Sequence, residues 1–118
     1  MLPRRFRDSL SYAWYGIRCA VRTERNMRLH LACGVAVFGA AAALGCSRSE
    51  WIVLCLTVTL VLMAELVNTA LEVLVDLLSQ ERRAKAKIIK DVAAGAVLIC
   101  SANAVIVGVL LFLPKLVK

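Results

Sequence analysis

The sequence predicts an all-α integral membrane protein, in which an amphipathic surface helix leads into three membrane-spanning helices. Three observations carry this expectation. Of the 118 residues, 61% are hydrophobic, well above the roughly 45–50% of soluble domains, and the mean hydropathy is +0.78. Three stretches are almost bare of charge and approach or exceed the roughly 20 residues needed to cross a hydrocarbon core of about 30 Å. The 15 Lys and Arg outnumber the 8 Asp and Glu, and twelve of the 15 crowd into residues 4–28 and 82–90, beside the apolar stretches. This pattern excludes a disulfide miniprotein, a disordered acidic tail and an ordinary soluble enzyme core. It also argues against a nucleic-acid partner, because such a basic protein has little use for long uncharged apolar runs.

The surface helix is expected over about residues 5–28. Phe6, Leu10, Trp14, Ile17 and Val21 recur at helical spacing, while Arg7, Ser11, Tyr15, Arg18, Arg22 and Arg25 fall on another face. Such a helix lies along the headgroups with its basic face towards anionic lipid and water. No apolar core of signal-peptide length precedes the first span. That span, about 29–46, is rich in Ala and Gly; His30 near its start could be taken for a catalytic base but reads better as an interfacial anchor, one turn after the arginines. The Gly-punctuated link 45–50 is too short for anything but an antiparallel hairpin. The second span, about 51–76, opens on Trp51, a residue type of membrane interfaces. The basic link 79–91 has neither Pro nor Gly and is expected to form a short surface helix. The third span, about 92–113, has Asn103 as its main polar interruption and Pro114 just after its end.

Ala32, Ala36 and Ala40, and likewise Ala104 and Gly108, provide small faces for close helix approach. The 5 cysteines include no CxxC pair and read as apolar fillers, not as a metal or redox site. Twelve basic residues lie on one side of the spans and three, Arg48, Lys115 and Lys118, on the other. The positive-inside rule then places the N-terminus and the second link in the cytoplasm and the C-terminus outside, in a multi-pass protein of the cell (inner) membrane.

The chemistry-bearing stretch lies in the second span. At about 100° per residue, Glu65, Asn68, Glu72 and Asp76 stay within roughly 80° of one another, with Thr69 at the border of that face. From Trp51, a rise of about 1.5 Å per residue brings Glu65 about 21 Å in and Glu72 about 31 Å in, at the cytoplasmic interface, with Asp76 beyond it. An acidic group at membrane depth costs about 2.5–3.5 kcal/mol even on lenient insertion scales, so its default reading is a site. An Arg reaching down from the surface helix to fix the packing of Glu65 is the bland alternative, but packing alone does not require two glutamates, an asparagine and an aspartate. A desolvated carboxylate suits a general base acting on a hydroxyl from the lipid side. Glu72 with Glu24 from the surface helix could hold Mg²⁺, which takes one or two carboxylates together with phosphate oxygens. Lys90 and its basic neighbours could neutralise phosphates. The sum points to phosphoryl transfer from a nucleotide to a lipid alcohol, by an enzyme lacking the P-loop, GxGxxG and protein-kinase motifs.

The run Glu65-Leu-Val-Asn68-Thr69-Ala70-Leu-Glu72-x-x-Val75-Asp76, followed after thirteen residues by Lys90-Asp91-Val-Ala-Ala-Gly95-Ala-Val, resembles the signature of the small prokaryotic diacylglycerol kinase/undecaprenol kinase family. Tyr12-Ala-Trp14-Tyr-Gly16-Ile-Arg18 and Thr23-Glu24-Arg25-Asn26-x-Arg28-x-His30 are similar to that family too, and the likeness covers nearly the whole chain. The resemblance implies a homotrimer with its sites between subunits near the membrane surface. It implies Glu65 as base on the lipid hydroxyl, Asn68 as its positioner, and Glu24 and Glu72 as ligands of the Mg²⁺ that bridges the ATP phosphates. It further implies ATP contacts at Arg5, Tyr12, Glu24, Glu72, Glu81, Lys90 and Asp91, with Asp76 supporting the acidic cluster. The family's usual Tyr-His after Glu81 is Arg82-Arg83 here. The Thr23–Asn26 run with Arg28 and His30, and the 90–97 run, look more like the undecaprenol kinase branch than the diacylglycerol kinase branch.

Two other readings compete. A small proton-coupled transporter would also use an intramembrane glutamate, but it would need that acid near the bilayer centre and has no use for a stripe that joins a basic loop. A non-enzymatic scaffold would use the stripe only as glue between helices.

Overall fold

A computed structural model describes residues 5–78 and 83–117. The chain there forms α1 (Phe6–Thr23), α2 (Arg25–Ala43), α3 (Arg48–Leu78) and α4 (Arg83–Leu116). By length and composition α2, α3 and α4 can each cross a membrane. At about 1.5 Å per residue, α3 is about 46 Å long and α4 about 51 Å. Both outrun a hydrocarbon core of about 30 Å and carry their polar ends beyond it.

The single surface helix expected through residue 28 is instead broken at Glu24. Its backbone is extended (φ −111°, ψ 115°), so it ends α1 and begins α2. The Glu24 N–H donates to the Ala20 carbonyl, and the Glu24 carbonyl accepts from the Arg28 N–H. Arg28, in the first turn of α2, points its guanidinium back at the end of α1 and donates to the Val21 and Arg22 carbonyls at 2.8 and 2.9 Å. Those are orphan acceptors of a helix C-terminus, where a cation is also favoured by the helix dipole. The turn therefore owes nothing to Gly or Pro.

At its other end α2 stops in a Schellman turn. Gly45 takes φ +66°, and the Cys46 N–H reaches back to the Ala41 carbonyl at 3.1 Å. A reciprocal capping box starts α3: the Ser47 N–H donates to the Glu50 carboxylate at 2.9 Å, and the Glu50 N–H donates to the Ser47 hydroxyl at 3.3 Å. Phe38 stacks on Trp51 with ring centroids 5.7 Å apart, and Lys115 pairs with Glu50 at 3.1 Å, so this end ties all three spanning helices together. At the opposite end Lys90 of α4 bonds Asp76 of α3 at 2.6 Å.

Two more expectations change. Residues 83–91 are not a separate surface helix but the first turns of α4, which runs on past Pro114 to Leu116. Proline removes one N–H and is costly in a helix interior, but close to the C-terminus little helix remains to be disrupted. The buried stripe of α2 is Met27, Gly34 and Ala41, spaced by seven, whereas Ala32 and Ala36 are exposed. Gly34 matters because a Cβ there would meet Val58 Cγ1 at 3.2 Å, so glycine allows α2 to lie close against α3. Much of the apolar surface of α4, including Leu98, Ile99 and Leu110, is exposed in the single chain.

Candidate active site

The core seam of α3 consists of Leu54, Thr57, Val61, Glu65, Asn68 and Val75. These positions recur every three, four or seven residues, so they share one face. The sequence substitutes an acid and an amide for apolar residues in the middle of a packing seam. Glu65 is 1% exposed and Asn68 is 6% exposed, while Glu72 is half-buried and Asp76 exposed. The polar stripe thus runs from the protein interior out to water along one helix face.

Within it the Asn68 amide donates to Glu72 Oε1 at 3.1 Å, and the Thr69 hydroxyl donates to the Glu65 main-chain carbonyl at 2.9 Å. The Glu65 carboxylate receives neither. Among the described residues, both of its oxygens, Asn68 Oδ1 and Ser101 Oγ are buried without a hydrogen-bond partner. Unsatisfied buried oxygens on a carboxylate are costly to the fold, and such a cost is tolerated where the group has work to do. His30 of α2 brings Nε2 to 3.8 Å from Glu65 Oε2, an ion-pair distance longer than a hydrogen bond. Glu72, farther along the same face of α3, and Glu24, at the corner between α1 and α2, both lie within electrostatic range of Glu65.

Glu65, Asn68, Glu72 and Glu24 are therefore brought together. Asp76 continues the stripe but is held by Lys90, and Asp91 is held by Lys87 at 2.6 Å. Arg5 and Tyr12 are exposed on the far part of α1. Along an unbroken helix Arg5 lies about 28 Å from Glu24, and Tyr12 about 18 Å. Glu81 and Arg82 lie outside the described residues. His30 is the residue whose place in the cluster the sequence did not reveal; it faces the carboxylate instead of serving only as an interfacial anchor.

Among the described residues no three or more His, Cys, Asp or Glu side chains gather into a metal cage. The oxygen donors of Glu24 and Glu72 fit Mg²⁺, which keeps water and phosphate oxygens in most of its octahedron. Two apolar grooves flank the cluster. One is lined by Met63, Val67, Asn68, Ile88, Val92 and Ala96, the other by His30, Gly34, Val58, Val61, Ser101 and Ala104. Glu65 itself lines neither groove, but its neighbours do, Asn68 in the first and His30 in the second, while the acidic edge of the stripe leads to water.

Residues 11–112 match the prokaryotic diacylglycerol kinase family. The chain is 50% identical over 111 residues to a diacylglycerol kinase of Synechocystis sp., a match that covers 93% of this chain and 63% of that protein. It is 40% identical over 112 residues to an undecaprenol kinase of Bacillus subtilis, covering 95% of this chain and 91% of that one.

Proposed function

The chain belongs to the prokaryotic diacylglycerol kinase family, and we propose that it is an ATP-dependent lipid kinase of the cell membrane. It transfers the γ-phosphate of ATP to the primary hydroxyl of a lipid alcohol at the cytoplasmic interface, with undecaprenol favoured. The observation that carries this reading is the Glu65 carboxylate, 1% exposed, with no hydrogen bond to either oxygen among the described residues, and flanked by apolar grooves. A hydroxyl entering from the lipid side finds there an acceptor that nothing else occupies.

Glu65 takes the hydroxyl proton, and Asn68, anchored by its bond to Glu72, helps to position the alcohol. Bringing the alcohol and the phosphate into line supplies most of the acceleration in such a transfer. Glu24 and Glu72 would hold Mg²⁺, which would supply charge neutralisation at the phosphate oxygens. Lys90 and Asp91 contact ATP after exchanging their partners Asp76 and Lys87, and Asp76 supports the acidic cluster. Arg5, Tyr12 and Glu81 also serve the nucleotide. Since Arg5 stands about 28 Å from Glu24 along α1, one chain does not present both to one nucleotide, and this supports a homotrimer with each site built between subunits. The N-terminus faces the cytoplasm, where ATP is.

Undecaprenol is favoured on the Thr23–Asn26 run, Arg28, His30 and the 90–97 run. A diacylglycerol kinase that makes phosphatidic acid is the second reading, supported by the 50% identity to the Synechocystis relative. The test is phosphate transfer from labelled ATP to undecaprenol, diacylglycerol and ceramide, side by side in mixed micelles with the purified protein. Undecaprenol should be phosphorylated fastest; diacylglycerol first would replace the substrate, and no phosphorylated alcohol at all would overturn the reading.

A further inference from the structure

We propose that His30 is the positioning partner of Glu65 and the acceptor that carries the substrate's proton out of the membrane. The inference rests on the lipid-kinase reading above. It begins from a difficulty in that chemistry: Glu65, having taken a proton, is neutral and sealed from water, and must lose that proton before it can act again. Neither oxygen has a partner at full hydrogen-bond geometry among the described residues, though the Asn68 side chain lies close enough to act on it.

The neighbours that bear on it can be taken helix by helix. Along α3, the Asn68 amide is committed to Glu72 and the Thr69 hydroxyl to the Glu65 carbonyl; Glu72 itself is a carboxylate of like charge. The corner between α1 and α2 contributes Glu24, another carboxylate. The Ser101 hydroxyl of α4 lines the groove that His30 lines but does not exchange protons at neutral pH, and Lys90 is paired with Asp76. His30 of α2 differs from all of these. Its Nε2 lies 3.8 Å from Glu65 Oε2, and its side chain is 23% exposed against 1% for Glu65. One face touches the buried acid and another is in contact with the surroundings.

The register that puts it there is built in. Gly34, one turn further along α2, comes within 3.2 Å of Val58 measured from where its Cβ would be, so the close approach of α2 to α3 beside His30 leaves little room for a side chain at this position. The step balances without another reactant. The alcohol O–H bond breaks and its proton goes to Glu65; the freed oxygen pair forms the bond to the γ-phosphorus as the bond from phosphorus to the ADP oxygen breaks. The proton then passes from Glu65 to the unprotonated Nε2 of His30 and from the ring to water at the exposed side of the imidazole, leaving Glu65 ionised for the next turnover.

The test compares kcat–pH profiles, at saturating ATP and lipid alcohol, for the wild-type protein, His30→Gln and His30→Ala, the last with and without added imidazole. We expect His30→Gln to lose about tenfold or more in kcat while KM for ATP moves less than about twofold, and its kcat–pH profile to differ in shape from that of the wild-type protein. Imidazole should restore turnover to His30→Ala and not to Glu65→Gln. Wild-type kcat and pH profile in His30→Gln would overturn the proposal. So would a lowered kcat with an unchanged profile shape and no rescue by imidazole, which marks a packing role. If His30→Ala fails to assemble, the His30→Gln profile decides alone. A wild-type protein that phosphorylates no lipid alcohol would refute the kinase reading itself, an outcome distinct from either of these.

Discussion

At residue scale, Glu65 illustrates a conflict between folding and function. It occupies a core position of α3, where its neighbours in the seam are Val61 and Asn68, and its oxygens lack partners among the described residues. Replacing such a group by an apolar one of similar size relieves a desolvation cost of about 1–3 kcal/mol. Glu65→Leu is therefore expected to unfold later in a denaturant series in detergent, by about that amount, while losing lipid phosphorylation. A destabilised Glu65→Leu would show that the carboxylate is satisfied by something that supports the fold. The stripe Glu65, Asn68, Glu72 and Asp76 was legible in the sequence because it lies on one helix, where periodicity alone sets the geometry. His30 was not, because its relation to Glu65 depends on how far α2 slides along α3, and no single-helix pattern contains that register.

At the scale of elements, two contacts set the position of α2. The Arg28 guanidinium bridges to the last carbonyls of α1, and Arg28→Ala should cost about 1 kcal/mol and speed amide exchange in the final turn of α1, around Val21 and Arg22. Unchanged exchange there would mean that the corner is held by other means. Gly34→Leu should be harsher, since overpacking a close helix contact costs about 1–3 kcal/mol, and it should lower kcat by drawing His30 from Glu65. Normal activity in that variant would argue against the close approach. The three apolar spans were readable from length and composition. The corner at Glu24 was not, because it arises from tertiary capping by Arg28 and not from a helix-breaking residue. The unbroken start of α4 was missed for the opposite reason: a charged helical end continues an apolar helix without any punctuation in between.

For the whole molecule, the organising fact is that α3 and α4 are each longer than the hydrocarbon is thick, at about 46 and 51 Å against about 30 Å. One pair of ends is fastened by Phe38 on Trp51 and by Lys115 with Glu50, and the opposite end carries Glu72, Asp76 and Lys90. There the Lys90–Asp76 pair is exposed on both sides, and exposed pairs contribute little to stability. Lys90→Ala should accordingly leave unfolding nearly unchanged yet raise KM for ATP severalfold in steady-state assays; a stability loss with normal KM would make Lys90 a strut rather than a phosphate contact. The most direct examination of the whole account is a single-turnover measurement of phosphate transfer from ATP to undecaprenol by Glu65→Gln beside the wild-type protein. The expected outcome is a rate lower by about 10²–10⁴-fold with ATP binding intact, whereas transfer at near the wild-type rate would contradict the role of the buried carboxylate as the base that activates the lipid.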